Sequence, residues 1–189
     1  MSKGIKILLG VVVVVVLLGF WAMGYYNNFV SGDENVINKW AQVETQYQRR
    51  FDLVPNLVET AKASARFQQE TLTALTAARS AWASATENKD INGQIAAAGQ
   101  FDGALSRLLV TVEAYPELDT GAFKDLMVQL EGTENRVAVA RKDYNDAVQT
   151  YNVMVRQVPG SLLAGIFGFD EKTPFEAVAG SEVAPAVNF

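Results

Sequence analysis

The sequence predicts an all-α protein in which one N-terminal transmembrane helix precedes a long up-down four-helix bundle. Three observations support this prediction. No charged side chain occurs from Ile7 to Gly32, apolar residues recur at spacings of three and four through residues 33–158, and glycine and proline are sparse in that stretch. This spacing places apolar side chains on one face of each helix, as core-facing helices require.

The charge-free N-terminal run has the length and composition of a membrane span. Val11–Val16 is six consecutive valines, and residues 5–26 supply the about 20 apolar residues that a helix needs to cross a bilayer core. A β-branched run favours a strand in water, but in lipid only a helix satisfies the backbone of a single segment. Trp21, Tyr25 and Tyr26 are expected at the headgroup level.

The charges that flank the span predict its orientation. Lys3 and Lys6 precede it, and Asp33 and Glu34 follow it, so the positive-inside rule places the N-terminus in the cytoplasm and the remaining domain outside. Residues 22–24, Ala-Met-Gly, would also suit a signal-peptide cleavage site. The apolar run is longer than an ordinary signal core, which favours a retained anchor.

Composition excludes several classes of function. Cysteine and histidine are absent, which removes thiolate nucleophiles, disulfides, most zinc sites and every catalytic triad that uses histidine. Without Lys3 and Lys6, 14 basic residues oppose 21 acidic ones, a balance that disfavours nucleic acid as a partner. We expect no catalytic residues, no cofactor and no bound metal.

The first half of the domain predicts two helices. The first is expected over residues 33–53, with a break at Pro55, because proline disfavours helix at the residue before it and fits the first turn of the next helix. The second is expected to begin just after Pro55 and to end near residues 88–90. The phase of Phe29 suggests that the span continues into the first helix, with Ser31-Gly32 as the place where the chain would bend instead.

The second half predicts two longer helices and a tail. The third helix is expected over Ile91–Ala114 and ends at Tyr115-Pro116-Glu117. The fourth carries a heptad-like seam from Leu126 to Val158, typical of coiled-coil packing, with Gly132 as its weak position. After Pro159 we expect a short apolar helix and then an extended segment.

These boundaries give four parts. Residues 1–4 are a short N-terminal segment, and residues 5–26 are the transmembrane helix. Residues 27–160 are the helical bundle domain. Residues 161–189 are an apolar tail that packs on the bundle or on the membrane surface.

Two polar clusters are the candidate sites. The first is a helix-to-helix corner where Asp52 would cap a new helix, or where an arginine would anchor a partner. It contains Arg49, Arg50, Asp52, Asn56 and Glu59. The second is a buried polar seam in the fourth helix that would fix register rather than catalyse. It contains Thr133, Glu134, Asn135, Arg136, Tyr144 and Tyr151.

Acidic pairs on the fourth helix offer a weaker metal hypothesis. Asp143 with Asp146, and Glu131 with Glu134, share a helical face. Di-iron bundles combine such glutamates with histidine, which this chain lacks, and no calcium-loop signature accompanies these pairs. Solvated helix faces explain them better.

Two long motifs resemble the LemA family of bacterial membrane proteins. Residues 46–63 read QYQRRFDLVPNLVETAKA, residues 133–159 read TENRVAVARKDYNDAVQTYNVMVRQVP, and LLAGIFGF follows. The resemblance covers nearly the whole chain, although Val158-Pro159 stands where Phe-Pro is common in the family. It implies a four-helix domain on one span in the bacterial cytoplasmic (inner) membrane and provides no catalytic residues. Links of some relatives to membrane metalloproteases and to membrane-organelle assembly suggest scaffold or adaptor roles.

The leading hypothesis is therefore a non-catalytic membrane-anchored scaffold that assembles with itself or docks another envelope protein. The alternative is a domain that binds a small molecule or an acyl ligand between its helices, with Tyr144 and Tyr151 lining the pocket.

Overall fold

The computed structural model of the chain describes residues 2–62, 69–114 and 121–176. This part of the chain is all-α, with five helices and no strand. The helices are α1 (Lys3–Lys62), α2 (Gln69–Glu87), α3 (Ile91–Ala114), α4 (Gly121–Arg156) and α5 (Gly160–Phe167). The loop expected at Tyr115-Pro116-Glu117 and the extended tail beyond residue 176 lie outside the described residues.

The chain divides into two compact units. Within the described residues, the first combines residues 2–41 with Asp143–Pro174, and the second combines Gln42–Lys142 with Phe175 and Glu176. Helices α1 and α4 therefore each contribute to both units, α2 and α3 belong to the second, and α5 belongs to the first.

The break expected at Pro55 is wrong, because α1 continues through this proline to Lys62. A proline inside a helix costs roughly 3 kcal/mol through a lost hydrogen bond and a steric clash. Pro55 is exposed, whereas Phe51, Val54 and Leu57 are each at most 2% exposed. Burial of apolar side chains on both sides of the proline outweighs its local preference, so the start of the predicted second helix belongs to α1.

The α2–α3 hairpin agrees with the sequence. The third helix spans Ile91–Ala114 as expected, and α2 ends at Glu87, just before the predicted turn. Asp90 caps α3, because its carboxylate accepts a hydrogen bond from the Gly93 amide at 2.9 Å. The side-chain amide of the buried Gln94 then donates to Thr86 and Glu44, both at 2.8 Å.

The fourth predicted helix and the short apolar helix are also present, as α4 and α5. Along the predicted seam Leu130, Val137, Tyr144 and Tyr151 are buried, but Val158 is 79% exposed. The seam therefore packs along α4 and ends with that helix, before Pro159.

Gly32 is a packing position and not a bend. Helix α1 continues unbroken through Ser31 and Gly32. A methyl group added at Gly32 would meet the Met154 Cε atom at 2.6 Å and the Tyr151 Cδ2 atom at 3.1 Å. Glycine therefore allows α1 and α4 to approach closely within the first unit.

Replacing Gly32 and Gly132 by alanine should have different effects. The flexible end of Met154 can move away from a methyl group at position 32, but the Tyr151 ring must also shift, so Gly32→Ala should lose the gain of about 1 kcal/mol that alanine otherwise brings to a helix. Gly132 is exposed and has open space around it, so Gly132→Ala should stabilise α4 by about 1 kcal/mol. Thermal unfolding of the full chain in detergent micelles, followed by circular dichroism, measures both. Equal midpoints for the two variants would contradict the close approach.

Candidate functional site

The side chain of Arg50 is the centre of a charged network in the second unit. It projects from α1 and is only 2% exposed. Its Nε donates to the Thr133 hydroxyl at 3.0 Å, Nη1 donates to the Asp102 carboxylate at 3.0 Å, and Nη2 donates to Glu134. One buried cation thus connects α1 to α3 through Asp102 and to α4 through Thr133 and Glu134.

Asp102 accepts hydrogen bonds at both carboxylate oxygens. Oδ1 is bonded by Arg50, and Oδ2 accepts from the Tyr47 hydroxyl at 2.8 Å and from Arg141. Burial raises the pKa of Asp102 from 3.8 to about 7, an effect that the nearby Arg50 charge opposes and Glu134 reinforces.

Arg141 completes the network from α4. Its guanidinium carbon lies 4.1 Å from the ring centre of Phe175 and 5.2 Å from that of Tyr47, distances at which a cation is attracted to an aromatic face. Burial lowers the pKa of Arg141 to about 10, so the side chain stays protonated at neutral pH. With Asp102 ionised, the charges of Arg50, Arg141, Asp102 and Glu134 cancel.

This arrangement joins three helices through groups that are bonded to one another. A carboxyl group that titrates near pH 7 matches what general acid–base catalysis uses. Both oxygens of Asp102 are nevertheless engaged by protein donors, so a substrate could reach them only by displacing Tyr47 or an arginine. The network instead satisfies a buried cation with partners on two other helices.

The predicted corner is not a corner, because its residues lie within α1. Asp52 caps no helix, since its exposed carboxylate accepts a bond from the Gln48 side chain at 2.8 Å. Arg49, Asn56 and Glu59 are exposed as well. Arg50 alone of this cluster points into the core.

The predicted seam is buried only in part. Thr133 is half-buried, but the Glu134 side chain is 64% exposed, and Asn135 and Arg136 are exposed. Burial of Asn135 and Arg136 is therefore a wrong expectation. Leu130, Thr133 and Val137 define the inward face of α4, and helical rotation carries positions 135 and 136 away from it.

Tyr144 and Tyr151 belong to the first unit, where they face the segment that follows α5. Tyr144 is 1% exposed, its ring centre lies 5.0 Å from that of Trp40, and its hydroxyl donates to the Thr173 carbonyl at 2.8 Å. The Lys172 ammonium lies 5.6 Å from the Tyr151 ring centre. Both tyrosines are thus occupied by contacts within the protein.

Burial keeps these two hydroxyl groups protonated. It raises the pKa of Tyr144 to about 12, and together with Asp33 and Asp170 it raises the pKa of Tyr151 to about 12. A tyrosine that works as a base needs a pKa closer to the working pH, so these side chains act as packing and hydrogen-bonding groups.

The side-chain amide of Asn152 holds the same segment. It donates to the Lys172 carbonyl and accepts from the Lys172 amide, both at 2.8 Å. The Lys172 ammonium reaches Asp33 of α1 at 2.6 Å. Two helices and the segment after α5 are therefore joined through Asn152 and Lys172.

The acidic pairs of α4 form no metal cluster. Asp143 pairs with Lys39 at 3.0 Å beside a shallow polar depression of about 270 Å³. No group of three or more acidic residues that could hold a metal ion occurs within residues 2–62, 69–114 and 121–176.

Sequence reasoning missed Asp102, Arg141, Asn152 and Lys172. One available signal was that Asp102 is the only acidic residue between Ile91 and Val112, in a helix rich in alanine and leucine. An isolated charge of this kind on an apolar helix suggests a buried partner of opposite sign. The repeated Tyr-Asn pairs at 144–145 and 151–152 were the signal for Asn152.

Comparison with known proteins identifies relatives of the chain. The sequence profile of the LemA family matches residues 39–189. Magnetosome protein MamQ 1 and Magnetosome protein MamQ 2 of Paramagnetospirillum magneticum are each 30% identical to the chain over 175 residues. Magnetosome protein MamQ of Magnetospirillum gryphiswaldense is 29% identical over 168 residues.

These alignments cover the chain and its relatives unequally. They include 80% of this chain and 64% of both Paramagnetospirillum proteins, and 76% and 62% for the Magnetospirillum protein. The chain therefore spans a little under two thirds of the length of the curated relatives that it matches.

Arg50 and its neighbour Arg49 provide a matched pair of substitutions. Arg50→Ala should destabilise the protein by about 1–3 kcal/mol, because Asp102 loses one of its two arginine partners and its Oδ1 atom loses its donor. Arg49 is exposed, so Arg49→Ala should change stability by no more than about 0.5 kcal/mol. Denaturant unfolding of the full chain in micelles measures both. Similar losses for the two variants would contradict the role given to Arg50.

The raised pKa of Asp102 makes stability depend on pH. Between its ordinary value of 3.8 and about 7, the folded protein retains a proton that the unfolded chain releases. The contribution of Asp102 is therefore complete below the lower value and is lost as pH rises through the upper one. The stability of the native protein should fall over this range relative to that of Asp102→Asn, measured by denaturant unfolding at each pH. Parallel profiles for the two proteins would contradict the shift.

Proposed function

The chain belongs to the LemA family, and from this premise we propose that it is a membrane-anchored, non-catalytic helical scaffold or adaptor. In this proposal residues 5–26 cross the bacterial cytoplasmic membrane once. The helices beyond them form an up-down bundle that presents its faces to a second copy of the chain or to another membrane protein.

The N-terminal part of α1 supports the anchor. Among the described residues, this is the one helix long and apolar enough to cross a membrane, and its most apolar window has no buried residue. At 1.5 Å per residue, residues 5–26 extend about 33 Å, which matches a hydrocarbon core of about 30 Å. Val11–Val16 are each 48–60% exposed, an apolar surface that lipid would cover.

The continuity of α1 favours a retained anchor over a cleaved signal peptide. The helix passes without interruption through residues 22–24. Five residues later, Phe29 is 1% exposed and its ring centre lies 5.2 Å from that of Phe169. The proposed span therefore leads directly into packed structure of the first unit. Lys3 and Lys6 before it, against Asp33 and Glu34 after it, support a cytoplasmic N-terminus.

Contacts within the second unit support the bundle. Arg50 of α1 bonds to residues of α3 and α4. Helix α2 packs against α3 across a three-residue turn and supplies Trp82, whose ring centre lies 5.2 Å from that of Phe51. Long helices with short connections and shared core residues are typical of helix bundles.

The occupied polar groups support a role in assembly rather than catalysis. The oxygens of Asp102 and the hydroxyl of Tyr144 are all bonded inside the protein. The ligand-binding alternative requires Tyr144 to line a pocket. The Tyr144 side chain instead contacts Trp40 and Thr173. The word magnetosome is part of the relatives' names. For this chain we propose only the class of the partner, which is a second copy of the chain or another membrane protein.

The anchor is tested by charges placed in the middle of the proposed span. Each charged side chain there should cost about 2.5–3.5 kcal/mol of insertion, so Val12→Lys/Val14→Lys should release the chain from membranes during carbonate extraction. The control is Val128→Lys/Val139→Lys, which changes two valines of α4 that are 59% and 61% exposed. This control should stay in the membrane. Release of both variants, or of neither, would contradict the anchor.

Assembly is tested separately on the native chain. Chemical crosslinking in intact membranes, followed by mass photometry after gentle solubilisation, should give a defined oligomer or a complex of fixed composition. A monomer in both measurements would contradict the scaffold while leaving the anchor in place.

A further inference from the structure

A second charge-free run of the chain has its own exposed apolar surface. No charged residue occurs from Gln157 to Phe169, a run that contains α5. Val158, Leu162, Ile166 and Phe167 are 79%, 68%, 74% and 37% exposed. These four side chains are called the α5 patch below. Large apolar side chains grouped in this way mark a surface that something covers.

The opposite side of α5 is fixed in the first unit. Ala164 is 2% exposed, and Gly160 is buried. A methyl group added at Gly160 would collide with the Met154 carbonyl oxygen and would approach the Phe29 ring at 3.6 Å. Leu162 and Ile166, four residues apart, share one face of the helix. The α5 patch is therefore the outward face of a packed element.

Aromatic contacts place α5 beside the end of the proposed span. The ring centre of Tyr26 lies 5.3 Å from that of Phe167 and 5.7 Å from that of Phe169. Tyr26 is the last residue of the span and is itself 44% exposed. The α5 patch thus continues the exposed apolar surface of α1 at the position where aromatic side chains meet the headgroups.

Charged groups lie farther along α1. Asp33, which pairs with Lys172 at 2.6 Å, is seven residues beyond Tyr26, or about 10 Å along the helix axis. The other charges near the run are Arg156 and Glu171, which face each other at 3.8 Å, and the exposed Asp170, which directly follows Phe169. The order along α1 is therefore apolar span, then aromatic residues with α5, then ion pairs, which is the polarity profile of a bilayer boundary.

We propose that the α5 patch is a second membrane-contacting surface, embedded in the headgroup–acyl boundary of the bilayer that α1 crosses. This inference rests on the proposed anchor. A second copy of the chain fits the patch less well, because four side chains are far fewer than the roughly 20–30 residues that each side of a stable interface contributes. Since the patch carries no charge, the lipid that it contacts need not be anionic.

Two attachment points would orient the first unit. A single helix leaves the unit that it carries free to turn about the helix axis. Insertion of Leu162 and Ile166 beside Tyr26 would determine which side of the unit faces the membrane. The α5 patch would then be a second membrane contact that maintains this orientation.

The absence of cysteine allows a clean labelling experiment on the full chain. Single variants Leu162→Cys and Ile166→Cys are labelled with an environment-sensitive fluorophore and reconstituted in phosphatidylcholine vesicles with or without doxyl-labelled lipid. Val14→Cys reports the proposed span. Ile37→Cys is the matched control, because Ile37 is 46% exposed on α1 but lies 11 residues, about 16 Å, beyond Tyr26.

We expect doxyl lipid to quench the labels at positions 14, 162 and 166, and aqueous iodide to quench the label at position 37. If labels 162 and 166 behave like label 37 while label 14 is quenched by lipid, the α5 proposal is overturned and the anchor remains. If iodide, and not doxyl lipid, quenches label 14 as well, both the α5 proposal and the anchor are overturned. Protection of labels 162 and 166 from both quenchers would overturn the proposal in favour of contact between protein copies.

Discussion

A guanidinium group that is 2% exposed cannot stay unpaired, and the second unit is arranged around this requirement. Arg50 obtains its partners from two other helices, Asp102 on α3 and Thr133 with Glu134 on α4. An apolar contact tolerates small shifts between helices, whereas hydrogen bonds at about 3 Å do not. The buried cation therefore joins α1 to α3 and to α4 within this unit. Removing Asp102 would leave the buried guanidinium with only the exposed Glu134 and Thr133 as partners, and an under-paired charge in the core is costly.

The first unit follows a different constraint, the need to cover apolar surface. Inside the unit this is met by close packing, as at Gly32, where α1 approaches Tyr151 of α4. On the outside, the valines of the proposed span and the α5 patch remain exposed. A single bilayer would cover both of these apolar surfaces with its lipid acyl chains.

Local pattern predicted much of the fold, but it could not predict the charged network. The start of the third helix followed from apolar periodicity, and the charge-free run identified the apolar part of α1. The helix break predicted at Pro55 was wrong because the helix is stabilised there by burial of Val54 and Leu57. This burial depends on tertiary packing, which the local sequence does not show. Burial of Asn135 and Arg136 was a wrong prediction because residues that are adjacent in a helix point in different directions, so a polar cluster in the sequence need not be a cluster in space. Asp102 was missed because its partner Arg50 is 52 residues away in the chain.

The central claim is that the Arg50–Asp102 pair is architectural, and a double-mutant cycle tests it most directly. The cycle compares Arg50→Met, Asp102→Leu and the double variant by denaturant unfolding, with assembly in membranes measured on the same proteins. We predict that the double variant loses less stability than the sum of the single variants, by at least about 1 kcal/mol, and that it still assembles. Additive losses would contradict the structural coupling. A stable double variant that no longer assembles would show instead that the pair is itself a functional site.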